Sequence, residues 1–241
     1  MDTERHPVIR FNICGHSEFS DMPGRPKVRC TSCGSLERTR VVALHVQKRL
    51  TLEPGARILH FAPERGLSRI LREIGGANYQ AVDINPHLYP ELAVERFNLC
   101  KDVFNLTERT YDLIVHNHVL EHIECNYAVV LIRLAQALTD RGVMLFTVPI
   151  LAGHFSEELI DLPLEHKIER FGPMVHIRRF GRDFLQESLG MVFRIPHSYN
   201  LCASFSEQDL VNANIPPHHG KKFTGASVFR VQREDLNLCA R

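Results

Sequence analysis

The chain of 241 residues is 44% hydrophobic with a formal net charge of +1, enough to bury one α/β core with room for a small appendage. Near-neutral charge gives no global electrostatic footprint for nucleic acid, although residues 1–50 hold nine Lys/Arg against five Asp/Glu. No apolar run approaches the ~20 residues that span a bilayer, and the amino terminus lacks a signal-peptide core. Seven cysteines, an odd number, then point to reduced thiols in the cytoplasm.

Residues 1–34 are rich in turn formers, with Cys14-Gly-His16 and Cys30-Thr-Ser-Cys33 separated by a Pro/Gly stretch. They read as a small module, and 35–241 as the main domain. From Ser35 to Leu50 the pattern is helical, with Leu36, Ala43, Val46 and Leu50 on one side. Ile58 to Ala62 is a buried strand, and Pro63 and Gly66 turn it into a helix marked by Leu67, Ile70 and Leu71. That helix stops at Gly75-Gly76. Tyr79 to Ile84 is a second strand ending on an acid, Asp83, and Val94 to Leu99 a weaker third. Tyr111 to His116 is a fourth strand, a helix runs from about Glu124 to Thr139, and Gly142 to Val148 is a fifth strand. Strands alternating with helices at this spacing predict a doubly wound, mostly parallel α/β sheet.

Beyond Pro149 a loop-rich cover with one short helix is expected over 150–180. A helix from Arg182 to Leu189 and a strand from Met191 to Ile195 follow. A long connection, 196–224, leads to a final strand at Ala226–Gln232. The last two strands are expected to form an antiparallel edge.

A strand feeding a helix through a small-residue turn places backbone N–H groups and a positive helix end beside a ligand. An acid at the end of the next strand can accept hydrogen bonds from ribose hydroxyls. Turn and acid together predict a nucleoside-containing ligand; an ordinary turn and an ordinary surface acid remain the plain alternative.

Ile58-Leu-His-Phe-Ala-Pro-Glu-Arg-Gly66, Asp83 and Tyr111-Asp-Leu-Ile-Val-His-Asn-His-Val-Leu-Glu-His-Ile123 together resemble class I S-adenosylmethionine-dependent methyltransferases over about residues 54–195. The resemblance implies a Rossmann-like sheet of seven strands, the last inserted antiparallel. It implies that Phe61, Ala62, Pro63, Glu64 and Gly66 pass under the methionine and ribose of the cofactor. Asp83 would hold the ribose hydroxyls, Ile84 would pack on adenine, and Asn98 with Leu99 would meet the adenine edge. Asn98 stands where an acid is usual, but its carbonyl oxygen still accepts. His60 also replaces a usual acid, and Ala62 and Glu64 replace glycines, as in a subset reading HFAPE-x-G.

The Cys-rich front resembles a zinc-ribbon-like module that precedes some of these enzymes. A C-x2-C pair followed by Gly suits a thiolate corner for Zn2+. Cys14, His16, Cys30 and Cys33 are the expected ligands, with Phe11 standing where another Cys is usual; a metal-free module with ordinary thiols is the alternative. Cys100, Cys125, Cys202 and Cys239 show no pairing pattern and read as plain thiols.

Methyl transfer from a sulfonium needs orientation first, and a base only for a hydroxyl or a protonated amine. Asn117, His118 and His122 leave the sheet where the resemblance puts the methyl group. His118 or His122 could act as a base, or could cap and pack. His176-Ile-Arg-Arg-Phe-Gly181 carries a cationic pair that either receives an anionic substrate or solvates a loop. The expected activity is methylation of a small molecule or glycan intermediate, without a membrane role. Three rivals stand beside it: an RNA methyltransferase gripping phosphates with the Cys-rich module, an inactive binding protein with the same fold, and a nicotinamide dehydrogenase. The last is weakest, because the dinucleotide fingerprint is absent.

Overall fold

The computed structural model describes residues 18–237. In chain order its elements are β1 (Phe19–Met22), β2 (Arg25–Cys30), α1 (Glu37–Arg49), β3 (Ile58–Phe61), α2 (Arg65–Gly75), β4 (Tyr79–Asp83), β5 (Val94–Arg96), α3 (Leu99–Asp102), β6 (Tyr111–Asn117), α4 (Tyr127–Ala137) and β7 (Leu138–Thr147). Then come β8 (Ile150–Leu151), β9 (Ser156–Glu157), α5 (Leu164–Phe171), β10 (Arg178–Gly181), α6 (Leu189–Val192), α7 (Glu207–Asn212) and β11 (Phe229–Gln232).

The central sheet runs β11-β7-β6-β3-β4-β5. All pairings are parallel except β11 against β7. Alternation along the strands builds two cores. Leu59, Ile114, Met144 and Phe146 face one side with α4, while Ile58, Leu113, Val115, Val143 and Leu145 face α1 and α2. Covered on both faces, these strands read as continuous apolar runs. Helix α2 drives Leu67, Ile70 and Leu71 wholly into the second core, each contributing roughly 1.5–3 kcal/mol of burial. Gly76 ends it at φ +54°, its N–H returned to Arg72 O, the left-handed stop that glycine allows. At Gly142 a Cβ would stand 2.6 Å from Tyr111 O, so only glycine lets β7 pass β6 there.

Four expectations change. The sheet has six strands among the described residues, not seven. The strand expected at Met191–Ile195 is replaced by α6 and a single bridge, Phe193 to Leu236. Its apolar residues enter the core from a turn, since Val192 and Phe193 are buried while Met191 is exposed. The helix expected over Arg182–Leu189 shrinks to a short 3-10 turn at Arg182–Phe184. Finally, Cys100 and Cys125 form a disulfide, their Cα atoms 5.6 Å apart. The fold brings the start of α3 against the segment after β6, so cysteine usage no longer argues for a reducing compartment.

The cover after β7 contains α5 and a small sheet, β8-β10-β9. Helix α1 is buried well beyond one stripe, with Thr39, Arg40 and His45 inside as well as Val41, Val42 and Ala43. Arg40 ties the amino-terminal hairpin β1–β2 to the body. Its guanidinium donates to Val28 O and Ser35 O, and to Ala213 O and Asn214 O far along the chain. Cys30 is buried and Cys33 half-buried in this region, whereas Cys14 and His16 lie outside the described residues. No helix among the described residues is long and apolar enough to cross a membrane.

Candidate active site at the carboxyl edge of the sheet

Parallel strands deliver their following loops to one edge, where ligands of open α/β sheets bind. The exits of β3 and β6 share a local geometry. Ala62 leaves β3 at φ +46° and His118 leaves β6 at φ +53°. Each N–H bonds the carbonyl of the neighbouring strand, Ala62 to Val82 O and His118 to Thr147 O, both at 3.0 Å. A non-glycine residue in this region costs roughly 1–2 kcal/mol, and such outliers cluster at functional sites.

After β3, Glu64 occupies the place of the missing glycine. Its carboxylate accepts from Thr39 Oγ1 at 3.0 Å and Asn117 Nδ2 at 2.9 Å, with His60 Nε2 at 3.7 Å and Arg38 Nε at 4.0 Å. His60 is fully buried, and its Nδ1 pairs with the Tyr79 hydroxyl at 3.0 Å. Burial alone would raise the Glu64 pKa, but the nearby His60 and Arg38 and the Asn117 hydrogen bond outweigh it, and the net shift is downward. The carboxylate therefore knits α1, the β3 exit and the β6 exit together.

Asp83 stands at the end of β4, half-buried. Oδ1 accepts from Asn85 N at 2.7 Å and Oδ2 from the Tyr89 hydroxyl at 3.0 Å. Burial first, then the Asp83 charge, raise the Tyr89 pKa and keep it a donor. Ile84 beside it is 47% exposed, an apolar side chain open at this edge. Phe61 and Pro63 are buried under the turn, as is Gly66 in the first turn of α2. Asn98 caps α3, its Oδ1 accepting from Cys100 N at 2.9 Å, and Leu99 is buried behind it. The Asn98 oxygen is thus already a helix cap. Asn117 is buried, and its amide is engaged at both ends, with Glu64 and with Thr147 Oγ1 at 3.2 Å.

After β6 the arrangement differs. His118 Nε2 lies 2.8 Å from Gly225 O; a carbonyl only accepts, so Nε2 carries the proton and Nδ1 is bare. That Nδ1 is 3.5 Å from Glu121 Oε1. Burial lowers the His118 pKa to about 3, which makes its ring a weak base at neutral pH. His122, half-exposed, is also lowered, by burial and then by His176. Its ring meets that of His176 edge-on at 4.8 Å.

Glu121, which the sequence reading passed over, sits between the two histidines with no exposure. Neither of its oxygens has a hydrogen-bond partner among the described residues, and burial pushes its pKa up to about 8. Arg178 is the second residue missed. Instead of receiving an anion or solvating a loop, its buried guanidinium donates to the carbonyls of Leu120, Ile123 and Cys125 and to Glu157. Its neighbour Arg179 faces solvent and donates to Ala152 O. Sequence spacing gave no signal for either, because the carbonyls that Arg178 binds lie more than fifty residues upstream.

The profile of the methyltransferase domain matches residues 36–211. This chain belongs to the methyltransferase-domain family. Among solved structures, the methyltransferase-domain chain is similar to an S-adenosylmethionine-dependent methyltransferase from Mesorhizobium loti. The two share 16% identity at a TM-score of 0.46, over 80% of this chain and 95% of the other. A second S-adenosylmethionine-dependent methyltransferase, from Archaeoglobus fulgidus, gives 13% identity and a TM-score of 0.45, over 82% and 93%. A coclaurine N-methyltransferase bound to N-methylheliamine and SAH gives 11% and 0.42; the match covers 63% of this chain and only 46% of that one. At these scores the likeness is one of general arrangement, and membership stands on the sequence match. No curated protein sequence matches the methyltransferase-domain chain.

Proposed function

We propose that this chain transfers a methyl group from S-adenosylmethionine to a small-molecule or glycan acceptor. The observation that carries the reading is the edge formed by Asp83 and Ile84 beside the Ala62–Gly66 turn. A half-buried carboxylate keeps a lone pair on each oxygen for ribose hydroxyls, next to an apolar side chain left open for a purine. The amino end of α2 adds N–H donors at the same place. These residues fit a nucleoside-bearing sulfonium donor, which when bound supplies an electrophilic methyl group.

In this reading Asp83 holds the ribose and Ile84 packs the adenine, with Asn98 and Leu99 at its edge. Phe61, Ala62, Pro63 and Gly66 shape the floor. Glu64 brings negative charge near the donor's methionine end while remaining tied to α1, and Asn117 fixes the β6 exit against it. His118 and His122 line the acceptor side. Burial lowers the pKa of both rings, and as weak bases they orient an acceptor better than they deprotonate one.

The amino-terminal segment 1–34 is proposed as a zinc-ribbon-like module using Cys14, His16, Cys30 and Cys33. Its support is the tight turn that sets the two described thiols three residues apart, with Gly34 N bonded to Cys30 O at 3.0 Å. Metal analysis of purified protein showing less than about half an equivalent of zinc would remove this part.

Calorimetric titration with S-adenosylmethionine and S-adenosylhomocysteine tests the main reading. Micromolar-range binding is expected, weakened roughly a hundredfold in Asp83→Ala through loss of two charge-assisted hydrogen bonds. Absence of binding to the unaltered protein would overturn it.

A further inference from the structure

We propose that Glu121, His122 and His176 form a site for one divalent transition-metal ion of the manganese-to-zinc series. One ligand atom from each lies within 4.8 Å of the others. Ligands held about 2.0–2.2 Å from such an ion stand roughly 3–4 Å apart, so small side-chain rotations close the set. Two imidazoles with one carboxylate select a borderline ion over Mg2+ or Ca2+, which prefer all-oxygen shells.

Three independent features converge on this place. Glu121 is wholly buried, yet both its oxygens lack a hydrogen-bond partner among the described residues. A buried carboxyl left in that state is costly unless something else ligates it. The two segments that supply the ligands are bound to each other by one residue. Arg178, two positions after His176, donates its backbone N–H to Glu121 O and its guanidinium to the carbonyls on both sides of Glu121 and His122. The Cys100–Cys125 disulfide anchors the same segment from its far end. Finally, His118 is fixed by its Nε2–H bond to Gly225 O, so the Nδ1 that stands 3.5 Å from Glu121 Oε1 is bare and cannot donate to that carboxyl.

Three protein ligands leave positions for water or for an oxygen of a second molecule. If methyl transfer is the activity, the acceptor favoured here bears a hydroxyl or carboxylate oxygen. That extension rests on the methyltransferase reading; the ion site does not.

The test is titration of chelator-stripped, full-length protein with Mn2+, following loss of the free-ion electron paramagnetic resonance signal. Manganese is chosen because thiolates of the Cys-rich segment compete poorly for it. About one ion per chain is expected, with affinity falling more than about tenfold in His176→Ala and in Glu121→Gln. His166→Ala, on the exposed face of α5, should bind as the unaltered protein does. Circular dichroism and S-adenosylhomocysteine binding verify that the variants are folded; should Glu121→Gln fail to fold, the half-exposed His176→Ala decides. No binding at millimolar Mn2+, or equal binding by His176→Ala, overturns the proposal. Ion binding without S-adenosylhomocysteine binding would keep the site and reject the proposed activity.

Discussion

The two strand exits that frame the site have the same backbone and opposite electrostatics. At each, a non-glycine residue turns left-handed and returns its N–H to the next strand. After β3 the half-buried carboxylate, Glu64, has two hydrogen-bond donors, with the Arg38 guanidinium and the His60 ring close by, and its pKa is lowered. After β6 the buried carboxyl, Glu121, has no hydrogen bond among the described residues, and its pKa is raised. Equal geometry thus serves unequal ends. The first exit is a closed joint that fixes α1 against the exits of β3 and β6. The second holds its carboxyl without a protein donor among the described residues.

Breaking the closed joint should have the largest effect. Glu64→Ala strips Thr39 and Asn117 of their acceptor and leaves Arg38 without a counter-charge. About 3 kcal/mol of unfolding free energy is expected to be lost, measured by urea denaturation. A loss below about 1 kcal/mol would mean that the network is a by-product of the turn. Cutting the tether of the open exit comes next. Cys100→Ser frees a loop of 25 residues, and chain entropy alone puts the loss near roughly 3 kcal/mol, read under non-reducing conditions. If reducing agent leaves the unaltered protein's midpoint unmoved, the disulfide contributes nothing in solution.

Acid should loosen the sheet behind both exits. His116 and His45 are buried neutral, and burial lowers their pKa values from 6.5 to about 3 and about 4. Below pH 6.5 the unfolded chain takes up protons that the folded chain refuses, so stability is full above 6.5 and falls as pH drops toward the folded values. At pH 5 the loss should be roughly 2 kcal/mol per histidine relative to pH 7. His116→Phe, which keeps the stacking on Phe146, should remove its share of that slope; an unchanged slope would assign the acid sensitivity elsewhere. The smallest effect is expected at the open exit. Glu121→Gln, examined without added metal, should leave stability equal or raise it by about 1 kcal/mol, since it replaces an ionisable carboxyl that lacks partners. A marked loss in differential scanning calorimetry would show that the carboxyl is as firmly engaged as Glu64.

The sequence made the frame legible where local chemistry and tertiary burial agree. Apolar runs closed by Pro63, Gly75-Gly76 and Pro149 marked β3, α2 and β7, and the acid ending β4 marked the cofactor edge. Met191 to Ile195 misled because an apolar run satisfies a strand pattern equally well when its residues enter a core from a turn. Glu121, Arg178 and the Cys100–Cys125 pair were invisible for another reason. Their roles depend on partners 21 to 58 residues away, brought close by crossovers that spacing alone does not specify. Glu64 was visible as a departure from glycine; that it gathers Thr39, Asn117 and His60 was not.

The hydrogen bond from His118 to Gly225 spans 107 positions and leads directly into β11, the strand that completes the sheet against β7. During synthesis the turn and Asp83 are on hand early, but the His118 ring, proposed above to face the acceptor, lacks its anchor until this late segment arrives. A nascent or truncated chain ending before residue 225 could hold the donor half of the site with its opposite wall unset. In the proposed reading, the acceptor side is thereby set later in synthesis than the donor side.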